Sequence, residues 1–197
     1  MTDRVHAASA PSADALRETA RAIRWVGFDV DGVLTDAGVY IGQHDGRRVE
    51  LKRFDIRDGF GIKLLQSAGL DVALVSARVS AATAERAAEL GITDVVQDDA
   101  GHKQRAIATL LASKGLDWSQ AAFMGDDLPD VAVLQRVALG VAPADAVADA
   151  RARAALVLSS RGGRGAVREF ADWLLRMRGE YDAVVTRYVS ERGGTWP

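Results

Sequence analysis

The 197-residue chain contains no cysteine. That excludes a disulfide framework and any thiolate metal site. No apolar run approaches the roughly 18 residues that a membrane-spanning helix needs. Charge of one sign is lacking too: 25 Lys and Arg face 27 Asp and Glu, for a formal net charge of −2. Such a balance argues against a dedicated nucleic-acid binder. The opening stretch, MTDRVHAASAPSADALRETARA, lacks the apolar centre of a secretory signal. What is there is ordinary for a globular protein, with 48% hydrophobic and 26% charged residues. A chain of this length buries roughly 70% of its unfolded surface, enough for a core without staples. The expectation is one soluble, cytoplasmic domain with no membrane contact.

Residues 1–22 read as an N-terminal arm. Its first 13 residues are rich in Ala, Ser and Pro, and a short helix over 14–22 has Ser12 as its cap. From Ile23 the chain alternates β-like runs (IRWVGF, DVALVS, AAFM) with helical patterns (58–68, 80–90, 102–113). That alternation predicts an α/β fold, a Rossmann-like, doubly wound parallel sheet with helices on both faces, over residues 23–178. Residues 36–55 break the rhythm. Val39–Ile41 and Val49–Phe54 are β-like and flank an Asp45-Gly46 pair, the signal of a hairpin inserted after the first strand. Residues 179–197 are a C-terminal tail whose order the sequence leaves open.

Two acidic clusters follow apolar strands. In the run Phe28-Asp29-Val30-Asp31-Gly32, two carboxylates stand two residues apart just past a strand end. Ligands of open parallel sheets bind there. A solvated turn is the plainer reading of an isolated D-x-D-G. The second cluster is Gly125-Asp126-Asp127-Leu128-Pro129-Asp130. Converging carboxylates repel unless a cation neutralises them, and oxygen ligands without Cys or His point to Mg²⁺. Asp126 is assigned to the metal. Asp127 and Asp130 are divided between support of the metal shell and capping of the helix near Pro129. Between the clusters, Ser76 ends a strand and Lys103 opens a helix, each able to hold a phosphate and each weak alone.

The order Asp-x-Asp, Ser, Lys, Gly-Asp-Asp-x-x-Asp is far more specific than its members. In it the chain resembles the haloacid dehalogenase (HAD) superfamily of phosphotransferases over roughly Ile23–Met177. The resemblance implies Asp29 as nucleophile and Asp31 as general acid, then base. It implies Mg²⁺ between the Asp29 carboxylate, the Asp31 backbone carbonyl and Asp126, with Ser76 and Lys103 on the phosphoryl oxygens.

From Asp29 to Ser76 the chain is used up by a strand exit, the hairpin and one helix, so no helical cap fits and another subunit must close the site. The runs Arg53–Ile62 and Arg161–Glu169 (RGGRGAVRE) look like the 3-deoxy-D-manno-octulosonate (KDO) 8-phosphate phosphatases. That capless subfamily is tetrameric, with neighbouring subunits closing each site. The resemblance implies a Mg²⁺-dependent release of KDO and phosphate in lipopolysaccharide precursor synthesis. It also implies that Arg78, Arg164 and, from an adjacent subunit, Arg86 bind the small anionic sugar phosphate. A basic Gly-rich loop before a helix also suits an anion by itself. Related phosphatases acting on 9-phosphates of sialic-acid-like sugars, or a broad-specificity sugar phosphatase, are the alternative; there the position of Arg78 tends to be Glu. From another class, a receiver-type phosphoaccepting domain shares a strand-end Asp, a Ser and a Lys, but has no need of Asp31. Two departures stand out. Ala77 replaces a usual Gly, and the loop before Lys103 is one residue longer, with Asp98 and Asp99 in it.

Overall fold

The computed structural model describes residues 12–197. Residues 1–11, most of the expected loose arm, lie outside the described residues. Helix α1 (Ala13–Ala22) opens the described chain, and the Ser12 hydroxyl accepts from Ala15 N at 3.2 Å. Strand β1 (Trp25–Phe28) follows, then the hairpin β2 (Tyr40–His44) and β3 (Arg47–Leu51), then α2 (Ile56–Ser67) and β4 (Asp71–Ser76). Helix α3 (Ala81–Leu90), β5 (Asp94–Gln97) and α4 (Lys103–Ser113) come next. A single 3₁₀ turn, Trp118–Gln120, leads into β6 (Ala121–Met124). The chain closes with α5 (Leu128–Leu134), β7 (Leu139–Ala142), α6 (Ala148–Arg151), β8 (Leu156–Val157), α7 (Ala166–Arg178) and α8 (Tyr181–Ser190).

Six strands pair in the order β5-β4-β1-β6-β7-β8, every pair parallel. The expected doubly wound α/β sheet is therefore present. Its strands read as continuous apolar runs because both faces are covered. Alternation along β1 sorts side chains between two cores. Val26 and Phe28 pack with Ile62, Leu65, Phe170 and Leu174 under α2 and α7. Trp25 packs on the other face with Ile107, Leu111, Phe123 and Val133 under α4 and α5. Phe28 meets Phe170 edge to face at 6.3 Å. Truncating either ring would cost about 3–5 kcal/mol.

The hairpin forms a separate two-stranded sheet, turning at Asp45 and Gly46, both at positive φ. Residues 181–190, read from sequence only as part of a tail, form α8. It buries Tyr181, Val184 and Val185, and Tyr188 packs on Phe60 at 4.7 Å. The YDAVVTRYV pattern is amphipathic, but its apolar face is legible only beside α2.

Candidate active site

The chemistry gathers beyond the carboxyl ends of β1, β4 and β6, where the strand order reverses around β1. Asp29 N still bonds Met124 O at 2.9 Å, so the residue leaves the sheet in register. The chain then coils tightly. The amides of Leu34 and Thr35 both reach Val30 O at 3.0 Å, and the Thr35 hydroxyl also donates to Val30 O. At Gly32 (φ +97°) a Cβ would overlap the Asp126 carboxylate, so only glycine lets the two acidic loops meet.

Asp29, Asp126 and Asp130 each place a carboxylate oxygen within 4.8 Å of the others. Lys103 Nζ, almost fully buried, lies 2.6 Å from Asp29 Oδ1 and 2.7 Å from Asp130 Oδ1. Burial alone would lower the Lys103 ammonium, but the two carboxylates outweigh it and hold it above the ordinary lysine value. One ammonium does not balance three carboxylates. Burial, reinforced by Asp130, pushes Asp29 up to about 6 against the pull of Lys103. Burial and the charges of Asp29 and Asp130 push Asp126 up to about 8. Asp126 Oδ1 is buried with no donor on it. An orphaned oxygen among three close carboxylates fits a hard cation with oxygen ligands.

Asp127 and Asp130 divide as their positions dictate. Asp127 is the exposed N-cap of α5, accepting from Leu128 N at 2.7 Å. Asp130 closes the reciprocal capping box: its Oδ2 accepts from Asp126 N at 3.0 Å and from Asp127 N at 3.3 Å, while its Oδ1 faces Lys103. It is thus both cap and cluster member. Ser76 is buried at the end of β4 and accepts from Arg78 N. The longer loop before Lys103 is taken up locally, because Asp98 accepts from Ala100 N and His102 N, and Lys103 still reaches Asp29.

A cavity of about 230 Å³ is lined by Asp29, Asp31, Ser76, Ala77, Arg78 and Lys103, with Pro129 and the α5 acids. It adjoins a more open groove of about 500 Å³ lined by Arg48, Glu50, Arg78, Val79 and Ser80. Arg78 joins the two, 3.2 Å from Glu50 and 3.6 Å from Asp31.

Arg86 and Arg164 are elsewhere. Arg86 pairs with Glu89 at 2.7 Å, reaches Asp55 O at 3.3 Å and lies over the Phe54 ring. Arg164 pairs with Asp36 at 3.0 Å. The Gly-rich loop differs from an open anion cradle. Cβ atoms on Gly162 and Gly163 would overlap Gly32 O and the Thr35 backbone, and Gly163 N bonds Val33 O at 2.8 Å. Arg161 and Gly162 N are held by Asp145. The start of α7 is occupied by the buried Asp58, which accepts from Gly165 N and Arg168 N. The anion expected at that helix start is the chain's own carboxylate, and the loop braces the Asp29–Thr35 coil.

The sequence agrees with this geometry when compared with known proteins. A family model of haloacid dehalogenase-like hydrolases matches residues 91–170. The 3-deoxy-D-manno-octulosonate 8-phosphate phosphatase of Escherichia coli is 40% identical over 171 residues, 87% of this chain and 88% of that one. The chain belongs to the KDO 8-phosphate phosphatase family of haloacid dehalogenase-like hydrolases. Crystal structures agree. The Yersinia pestis phosphatase superposes with a TM-score of 0.81 at 39% identity, covering 85% of this chain and 89% of that one. The Moraxella catarrhalis phosphatase, in complex with magnesium ion, phosphate ion and KDO, superposes with a TM-score of 0.83 at 30% identity, covering 89% and 98%.

Reading this family member from sequence alone misses Lys52 and Glu50. Both follow the hairpin turn and face the cavity side, Lys52 at 2.7 Å from Asp31. Their i, i+2 spacing across the end of β3 was the available signal. Lysine and glutamate on a hairpin are ordinarily solvated, which hid it.

Proposed function

We propose that this hydrolase is a Mg²⁺-dependent phosphatase that releases KDO and inorganic phosphate from KDO 8-phosphate, in the making of lipopolysaccharide precursors. The observation that carries the reading is Asp29, seated at the end of the central strand between the Lys103 ammonium and the orphaned Asp126 carboxylate. Asp29 and Asp126, with the Asp31 backbone carbonyl, would hold Mg²⁺, which when bound neutralises the repulsion between carboxylates and phosphate.

The chain's own groups do the rest. Asp29 attacks phosphorus in line, and the bond to the sugar oxygen breaks to leave an aspartyl-phosphate. Asp31 gives its proton to the departing oxygen, then takes one from the water that frees phosphate and regenerates Asp29. Ser76 and Lys103 hold the phosphoryl oxygens; a single such donor contributes roughly 10²–10³-fold in rate. Arg78, at the junction of cavity and groove, suits the sugar carboxylate.

A cavity of about 230 Å³ seats the phosphate, and the sugar must extend into the open groove. That openness supports a homotetramer in which neighbours close each site and present Arg86. Tyr40, Ile41 and Leu51 on the hairpin and Val79 beside the groove are each more than 60% exposed, an apolar surface of the kind a second copy covers. Arg164 completes the proposed sugar contacts, and a cytoplasmic location belongs to the same reading.

Phosphate release from a panel of sugar phosphates, with Mg²⁺ and with EDTA, tests this. KDO 8-phosphate should be turned over fastest and only with the metal. Preference for a nonulosonate 9-phosphate, or equal rates throughout, would overturn the substrate. Full activity of Asp29→Asn would overturn the nucleophile. A single phosphorylation without turnover would favour the receiver-type reading.

A further inference from the structure

Lys52 stands one residue past β3, and its side chain is wholly buried although most of the hairpin around it is exposed. Its Nζ lies 2.7 Å from Asp31 Oδ1 and 2.9 Å from Asp31 Oδ2. Thr83 Oγ1, on α3, accepts from the same amine at 3.4 Å, and Glu50 Oε1 is 3.9 Å away. Burying an ammonium is expensive, and apolar side chains of like volume often serve stability as well or better. Packing therefore gives no reason for a lysine here.

The two buried lysines also divide their work. Lys103 serves Asp29 and Asp130, whereas Lys52 serves Asp31, which lies outside the three-carboxylate group and lines the cavity. Asp31 is thus held by a hydrogen bond through Oδ2 and by charge alone through Oδ1, which accepts no hydrogen bond, and its orientation is restricted. We propose that Lys52 is a positioning residue for the leaving-group step: it aims Asp31 at the oxygen bridging sugar and phosphorus. The proposal rests on Asp31 being the acid.

In that step the Asp31 proton passes to the bridging oxygen as the bond from phosphorus breaks and its electron pair stays on that oxygen. The carboxylate left behind is received by the Lys52 N–H donors. In the second half Asp31 takes a proton from water as the water oxygen bonds to phosphorus and the electron pair of the broken bond returns to Asp29. Lys52 keeps its own proton throughout. Because Lys52 follows directly on β3, the hairpin that carries the exposed apolar face also sets the aim of the acid.

The test is leaving-group dependence. An alkyl phosphate needs its leaving oxygen protonated; p-nitrophenyl phosphate does not. Lys52→Met should lower kcat on KDO 8-phosphate by roughly 10²-fold, as for a misplacement of about 1 Å, with KM little changed. On p-nitrophenyl phosphate the first-turnover release of p-nitrophenolate, which precedes the water step common to both substrates, should slow by no more than about threefold, since it bypasses proton donation. Asp31→Asn should show the same asymmetry more strongly, and the double variant should be no worse than Asp31→Asn. Equal losses on both substrates, or additive losses in the double variant, would overturn the proposal. If Asp31→Asn itself shows no asymmetry, the acid role has failed and the proposal falls with it. If only Lys52→Met lacks it, the proposal alone falls. Thr83→Val, near-isosteric, decides the case should Lys52→Met not fold: a smaller loss with the same asymmetry supports the proposal, and its absence refutes it.

Discussion

Replacing Asp126 with Asn removes a carboxylate that the metal-free fold holds at a cost. Burial, with Asp29 and Asp130 beside it, pushes Asp126 up to about 8, whereas an unfolded aspartate titrates near about 3.9. An acid raised in this way stabilises the fold fully only below its unfolded value, and that contribution is lost as pH rises through the folded one. For Asp126 the window runs from about pH 4 to about pH 8; for Asp29, pushed up to about 6, it closes earlier. Each pH unit inside the window costs at most about 1.4 kcal/mol per group. Between about pH 5 and about pH 8 Asp126 alone accounts for on the order of 3–4 kcal/mol. At about 2–4 °C per kcal/mol for a chain of this size, that is roughly 10 °C in Tm. Asn does not ionise. In EDTA the Asp126→Asn protein should therefore lose most of this slope and melt roughly 5–10 °C above its parent near pH 8, the two converging near pH 4. With Mg²⁺ the order should reverse, because the parent gains from the metal and the variant has lost a ligand. Thermal unfolding across pH, with EDTA and with Mg²⁺, measures both. Parallel pH profiles, or a variant less stable than its parent in EDTA near pH 8, would refute the reasoning.

Lys103→Met should abolish phosphate release and destabilise by about 3–5 kcal/mol, since Asp29 and Asp130 lose their buried counter-charge; denaturant unfolding reads the second effect. Gly162→Ala would drive a methyl into Gly32 O and shift the Asp29–Thr35 coil, with kcat expected to fall roughly 10²-fold in steady-state assays. Arg78→Ala should raise KM for an acidic sugar phosphate by roughly tenfold, a charge-assisted bond being worth about 1.5–3 kcal/mol and solvent at this half-exposed side chain holding it to the lower end, and leave a neutral sugar phosphate less affected. Charging the hairpin with Ile41→Glu should shift the protein to smaller species on a sizing column, the exposed apolar face being what a second copy would cover.

Much of this protein is legible in its residues taken in order. Apolar runs such as VALVS and AAFM, buried on both faces, announce a parallel sheet, and their ends announce where Asp29, Ser76 and Asp126 must stand. The Asp45-Gly46 pair fixes the hairpin, because few other pairs tolerate two positive φ values in succession. These are local properties: period, turn chemistry and the face a residue takes relative to its neighbours.

What folding alone decided are the partnerships across the chain. In sequence Asp130 stays divided between capping a helix and supporting the metal, and folding gives it both places, one oxygen capping α5 and the other meeting Lys103, whose placement depends on how β5 and α4 pack. Arg161 and Arg164 belong to a basic loop that suits an anion, and in the folded chain they also pair with Asp145 and Asp36, while the start of α7 is taken by Asp58, more than a hundred residues earlier. Lys52 reads as a solvated hairpin lysine and is instead enclosed against Asp31 and Thr83. A charged side chain's partner is set by which surfaces meet, and desolvation then fixes what that pairing is worth. Neither is a property of a residue and its near neighbours, so the acids of this site and Lys103 were evident from the sequence, whereas Lys52 and the pairing of each lysine with its acids were not.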